Sequence, residues 1–385
     1  MNPVQTFIYL SVCALKGEKA TLAAVDFEEL WKLARAHDMT ALIGKALLDT
    51  EAYHGADKTE QKRWTEAVNQ SIKKTMLFDA ERKRILAFLE ENGIWYMPLK
   101  GAVINGLYKN FGTREFADND ILFDENYRDA VRDYMLQIGY TLRSDVTCAD
   151  EYSKEPLYNF EMHRSLYDEG KMLKDFDIYA YYRDVKSKLI KDEGNGYGYH
   201  FTDNDFYIYF IIHAFKHYSV SGTGLRTVAD EYVILQKFGG IDFGFVESEL
   251  KKLGADVFEK NLRTVTQKLF SDKSTIENGL ESLDDEEKEL LLYIITSGTF
   301  GISEHYYQNM LEEFSNDKKK SRFTYYRQRL SRYAAQVKRQ KPFVAKHKIL
   351  FPFYMMHRIP VQIFKKRKSI KQEMNYVKSL TNNEE

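Results

Sequence analysis

The apolar residues of this chain change their spacing after Asn92-Gly93, and that change limits the fold more than any other feature. Over residues 26–93 they recur at helical intervals: Phe27, Leu30, Leu33 and Ala34; Leu42, Ile43 and Leu47; Ile72, Met76, Ile85 and Leu89. Asn92-Gly93 suits a helix C-terminus. Directly after it, Ile94-Trp95-Tyr96-Met97-Pro98-Leu99 is a short, aromatic-rich apolar run with strand character, closed by Lys100-Gly101. Residues 102–108 then read as a helix leaving that turn. Residues 118–123, 140–143 and 158–163 read as strands, with a helix over 124–139. The alternation predicts a small α/β unit from about Ile94 to Tyr167, set between helical regions.

Beyond this unit the helical period returns at 203–218 and 225–238, separated by a loop with two glycines, Gly222 and Gly224. Helices are also expected at 284–297 and 303–314. A final basic segment contains Ile349 to Met356 and is broken by Pro352 and Pro360. The expected architecture is α+β, with a small mixed-sheet core flanked by helices. Its predicted parts are an N-terminal helical region (1–93), the core (94–200), a helical substrate-side domain (201–315) and a basic C-terminal region (316–385).

With 385 residues, 44% of them hydrophobic, the chain can bury a sizeable core. Two cysteines, Cys13 and Cys148, are too few for a disulfide scaffold or a cysteine-based zinc site. No apolar run reaches the ~18 residues of a membrane span, and the N-terminus lacks a basic leader. A reducing cytoplasm is the expected compartment. The formal net charge of -1 conceals an asymmetry: residues 318–372 carry 18 Lys and Arg and no Asp or Glu, which leaves the rest at -19. Such a region meets polyanions or an anionic membrane surface; it also serves as a solvated helical face.

The chemistry-bearing residues cluster in the predicted α/β unit. On a strand, Asp118 and Asp120 of Ala117-Asp118-Asn119-Asp120-Ile121 share one face. Two carboxylates beside a glycine turn suit a divalent metal that carries phosphates. Gly101 lets phosphates approach the backbone, and Lys100 and Arg114 are the cations that would hold them. Glu161, flanked by Phe160 and Met162 and sharing a face with His163, is the favoured third acid. Asp177, in Asp175-Phe176-Asp177, competes with it. A D-x-D string alone more often marks a turn or cap, and Leu15-Lys16-Gly17 repeats the Leu-Lys-Gly string with no acid pair after it. His213 and His217 are spaced like zinc ligands, yet the intervening Ala-Phe-Lys lacks the glutamate of a zinc protease helix. Lys216, His217 and Arg226 would instead bind substrate phosphates; the plainer reading pairs Arg226 with Asp230 along one helix.

Leu99-Lys100-Gly101, Arg114 and Asp118-Asn119-Asp120-Ile121-Leu122 together resemble the uncharacterised nucleotidyltransferase family of the DNA-polymerase-β-type superfamily. Glu161-Met162-His163 resembles its third-acid strand. His213-Ala214-Phe215-Lys216-His217, Gly222-Thr223-Gly224-Leu225-Arg226 and Asp230 resemble its helical part. The similarity runs to about Phe238. It implies a Mg²⁺-dependent (or Mn²⁺-dependent) enzyme that moves NMP from an NTP to an acceptor, which across the superfamily is a small molecule, saccharide, protein or RNA. The resemblance casts Asp118, Asp120 and Glu161 as metal-binding and catalytic, and Lys100, Gly101 and Arg114 as the triphosphate grip. The alternative is a non-catalytic nucleotide- or polyanion-binding relative acting as a regulatory or scaffold module. Two departures stand out: Asn119 replaces an apolar residue between the acids, and Lys100-Gly101 stands where the wider superfamily has Gly-Ser.

Overall fold

The computed structural model describes residues 1–115, 119–145, 147–173, 175–194, 196–271 and 282–299, and, beyond 324, parts of several helices including Leu350–Lys365. The chain forms two compact units. One comprises Met1–Lys216 and Thr223–Thr299, the other His217–Gly222 and Phe300–Glu385.

The first unit opens with helices α1 (Pro3–Lys16), α2 (Phe27–Ala36), α3 (Thr40–Leu47), α4 (Glu51–His54) and α5 (Lys58–Glu91). With 34 residues, α5 extends for about 50 Å at 1.5 Å per residue. Asp57 caps it, accepting from the Thr59 and Glu60 amides at 2.8 and 3.0 Å. It ends at Asn92-Gly93, where Gly93 takes a left-handed φ of 68°, as the sequence predicts.

The strands follow: β1 (Tyr96–Pro98), β2 (Asn119–Phe123), β3 (Thr141–Ser144), β4 (Ala149–Lys154) and β5 (Tyr158–His163), with α6 (Lys100–Leu107) after β1 and α7 (Arg128–Gln137) after β2. They form one five-stranded mixed sheet in the order β1-β2-β5-β4-β3, so the α+β expectation holds. β2 and β5 are parallel neighbours; the other pairings are antiparallel. The apolar strand around Tyr96 is shorter than its sequence pattern, and residues 125–127 form a 3-10 turn ahead of α7.

Within the five-stranded sheet, β4 is the strand that the sequence pattern does not predict. Its Asp150-Glu151-Tyr152-Ser153-Lys154 looks like a polar loop, yet Asp150 is buried. Arg128, Arg132 and Arg164 surround its carboxylate at 2.7, 3.1 and 3.4 Å, and this pairing makes burial of the charge tolerable.

The two faces of the sheet differ in character. Ile121 and Phe123, Tyr152, Phe160 and Met162 point one way and pack with Ile85 and Leu89 of α5 and Val131 and Met135 of α7. Each such side chain contributes about 1.5–3 kcal/mol by leaving water. The alternation of strands then turns Asp120, Glu161 and His163 to the opposite face. Asn119 belongs to the packed face, where it is buried and accepts from Arg82 of α5 at 2.7 Å. The unusual residue between the acids thus anchors β2 to the long helix by a charge-assisted hydrogen bond.

After two short β-hairpins, β6 (Met172–Leu173) with β7 (Phe176–Asp177) and β8 (Leu189–Lys191) with β9 (Tyr199–Phe201), a small helix α8 (Ile178–Tyr182) intervening, the chain returns to helix. These helices are α9 (Asp203–Tyr218), α10 (Leu225–Lys237), α11 (Phe243–Lys251), α12 (Asp256–Ser271) and α13 (Asp285–Ser297). In the second unit, α14 is Leu350–Lys365. The helix expected at 303–314 lies outside the described residues. No helix among the described residues is long and apolar enough to cross a membrane.

Candidate active site

Parallel pairing of β2 with β5 sets Asp120 directly opposite Glu161 and Leu122 opposite His163. Because His163 lies two residues after Glu161, all three side chains share the face away from the α5–α7 core. Their ligand-type atoms fall within 4.8 Å of one another. His163 Nε2 is 3.4 Å from Glu161 Oε2 and 3.9 Å from Asp120 Oδ1. Burial opposes a charge on His163, but Asp120, Cys148 and Glu161 outweigh it and hold the imidazolium well above its ordinary range. Antiparallel pairing with β4 adds Glu151 opposite Glu161 on the same face.

Asp120 Oδ1 is buried and has no hydrogen-bond partner among the described residues. The His163 imidazolium, 3.9 Å away, offsets part of the charge of the acid pair, but an acceptor without a hydrogen bond still costs about 1–3 kcal/mol, which leaves room for a further positive charge. Oxygen donors from neighbouring strands are the ligands that Mg²⁺ or Mn²⁺ takes, with remaining positions left for water and phosphate. A divalent ion therefore fits this donor set. Asp118 lies outside the described residues. Asp177, the competing third acid, caps α8 by accepting from the Ala180 amide at 2.8 Å and is exposed; it takes no part in the cluster around Asp120.

The Lys100-Gly101 turn adjoins the acids through its backbone, since the Leu99 amide donates to the Asp120 carbonyl at 2.9 Å. A side chain built on Gly101 would meet nothing within 4 Å. Glycine is thus not required by crowding from the protein here; the first turn of α6 instead faces open space that a ligand can enter. Lys100 Nζ lies 2.6 Å from His213 Nδ1 of α9. Burial, reinforced by the nearby Arg114 charge, brings the Lys100 ammonium down to about 7. Lys216 is also pulled down, by burial and then by Lys171, while the charges of Asp120 and Glu161 act to restore it. That influence places the Lys216 ammonium in the field of the acid pair, with its Nζ 5.8 Å from the centre of the Tyr167 ring.

Arg114 and Arg226 are committed to carboxylates of the protein. The Arg114 guanidinium grips Asp230 of α10 in a two-pronged pair, Nε to Oδ1 at 2.7 Å and Nη2 to Oδ2 at 2.9 Å, while the Tyr108 hydroxyl donates to Oδ1 at 2.8 Å. Burial raises the cost of the Asp230 charge, yet Arg114 holds the carboxyl below the ordinary range. A pairing of Arg226 with Asp230 along α10 is the plainer sequence expectation. The structure instead gives Asp230 to Arg114, and Arg226 donates to Asp38 at 3.2 Å and to the Glu115 carbonyl at 3.1 Å. Nearby, the Leu225 amide donates to His37 Nδ1 at 3.1 Å. A side chain on Gly224 would meet backbone atoms of Thr299 and Gly298 at 2.7 and 2.9 Å. His217, one residue beyond Lys216, falls in the second unit.

Sequence reasoning gave no account of Tyr209 and Glu151. Tyr209, buried in α9, has its hydroxyl pushed well up by burial and then by neighbours that include Asp120 and Glu161. It also lines a cavity of about 210 Å³ with Leu99, Lys100, Val103, Phe201, Phe206 and Phe238. The only signal for Tyr209 was its place one turn before His213. Nothing short of the strand register reveals Glu151.

No curated protein and no solved structure matches this chain. A family model described as an uncharacterised nucleotidyltransferase matches residues 23–271, which span the N-terminal helices, the sheet with its acid pair and the helices through α12, and the chain belongs to that family.

Proposed function

We propose that the chain transfers an NMP unit from an NTP to an acceptor hydroxyl or phosphate with the help of Mg²⁺, or Mn²⁺ in its place. The observation that carries this reading is the Asp120–Glu161 register pair, with the buried Asp120 Oδ1 left without a donor. Asp118, Asp120 and Glu161 would hold the ions, which supply charge neutralisation of the triphosphate and activation of the attacking oxygen. Glu161, the more exposed member of the pair, would accept the acceptor's proton. Lys100 and the open turn at Gly101 would take the triphosphate, and Lys216 would approach it from the helical side.

Arg114 and Arg226 act in this scheme as positioning residues. One ties the segment after α6 to α10; the other ties α10 to Asp38. The resulting assignment keeps residues 94–200 as the transferase core and 201–315 as the substrate side. The basic region at 316–385 is assigned to anionic partners. A cytoplasmic setting accords with nucleotide chemistry.

Incubation of the protein with each α-labelled NTP, Mg²⁺ and cell extract tests the reading. Label should appear on an acceptor with the wild type and fall by at least ~100-fold, the scale of losing one key electrostatic contact, in Asp120→Asn and in Glu161→Gln. Undiminished transfer in both variants would sink it. NTP binding without transfer in any extract would favour the regulatory, non-catalytic alternative.

A further inference from the structure

Helix α14 presents an apolar stripe to solvent within the most basic part of the chain. Phe353 is 66% exposed and Met356 70%, and Pro360 is exposed on the next turn. At 100° per residue these three positions lie within about 60° of one another, on one face of the helix. Met355 lies on the opposite side and is only 8% exposed. The helix is therefore held by one face and leaves the other, which is apolar, uncovered.

The surrounding charge decides what covers it. The run from 318 to 372 has 18 basic residues and no acidic one, and in sequence Lys366-Arg367-Lys368 follows Lys365, the last residue of the helix. A second copy of the chain would bring two such regions together and repel. A nucleic acid would reward the cations, but an exposed Phe-Met-Pro stripe offers little to a phosphate backbone. A membrane surface rewards both features at once, because the apolar side chains enter the acyl boundary while the cations meet anionic headgroups.

We propose that α14 is a membrane-surface helix that docks the protein on anionic bilayers, with Phe353 and Met356 inserted and the basic run at the headgroups. The contact is peripheral and independent of the transfer chemistry.

Co-sedimentation of the full chain with vesicles tests this. The protein should pellet with mixed phosphatidylglycerol–phosphatidylcholine vesicles, lose that binding in high salt and ignore pure phosphatidylcholine. Phe353→Ser with Met356→Ser keeps every charge and should weaken the partition by at least ~10-fold, since two partly transferred apolar side chains are lost. Unchanged binding by that double variant overturns the proposal, as does binding to single-stranded RNA with none to vesicles. Phe353→Trp supplies a second readout that leaves the apolar stripe intact. Its emission should shift to the blue on anionic vesicles relative to the wild type, and the absence of that shift would also overturn the proposal.

Discussion

Asp120 and Asp230 are both acids that the family resemblance singles out, and the protein treats them in opposite ways. Asp230 receives three donors, two from Arg114 and one from Tyr108, and is held ionised in the core. Asp120 keeps one carboxylate oxygen buried and without a donor, opposite a second acid. The first arrangement is complete without any ligand, whereas the second sets two carboxylates against the single His163 imidazolium, 3.9 Å from Asp120. The contrast separates a carboxylate whose hydrogen bonds are complete from one whose hydrogen bonds are not, and it does so by counting donors.

The sharpest way to break the contrast is to remove the Asp230 partner. Arg114→Met should lower the urea-derived unfolding free energy by ~3–5 kcal/mol, because it leaves a buried carboxylate uncompensated. Arg114→Met with Asp230→Leu should recover much of that loss. If the single variant costs under ~1 kcal/mol, the size of a surface pair, the two acids are not different in kind. Asp230 also predicts an acid limb. Its folded pKa lies below 3.8, so its stabilisation is present above the unfolded value and is lost as pH falls through the folded one.

Asp120→Asn should do the reverse and leave stability within ~1 kcal/mol of the wild type, since Asp120 Oδ1 makes no hydrogen bond to lose and Glu161 still faces the His163 imidazolium at 3.4 Å. It should also abolish the response to metal. Mg²⁺ at a hundred times its Kd raises wild-type stability by ~2.7 kcal/mol through mass action, read as a higher melting temperature. An Asp120→Asn protein that gains as much from Mg²⁺ would move the ion away from β2.

The fold was readable wherever burial followed a simple period. The helices before Gly93, the strand run through Tyr96 and the acid-bearing strand all announced themselves by alternating or helical apolar spacing. β4 did not, because Asp150 is buried through three arginines that lie 14 to 22 residues away in the chain, a pairing invisible to any local window. At the site, Glu161 could be favoured over Asp177 because Phe160 and Met162 marked a strand with a packed side. The partner of Asp230 escapes the sequence for the opposite reason. Spacing along α10 suggested Arg226 for Asp230, while the tertiary fold delivered an arginine 116 residues away in sequence. Asn119, unusual between the two acids in sequence, has its reason in Arg82 of α5, which donates to it from 37 residues away.

A smaller effect comes from a third buried acid, where the donor count falls between the two extremes. The Tyr207 hydroxyl lies 2.7 Å from Glu231 Oε1 and 3.0 Å from Glu259 Oε1, but it has one proton to give. Arg263 donates to Glu259 at 2.6 Å, whereas among the described residues Glu231 has only hydroxyl donors, Tyr207 and Thr266, and no cation hydrogen-bonded to it. Burial pushes its carboxyl up to about 8. The folded state then binds more protons than the unfolded chain between the ordinary glutamate value and about 8. Stability from this group is full below the unfolded pKa and declines as pH rises through that window, by no more than ~1.4 kcal/mol per pH unit. Glu231→Gln keeps a neutral side chain of the same shape and should flatten the decline in urea titrations across neutral pH. A slope that survives the substitution would mean that the decline does not come from Glu231.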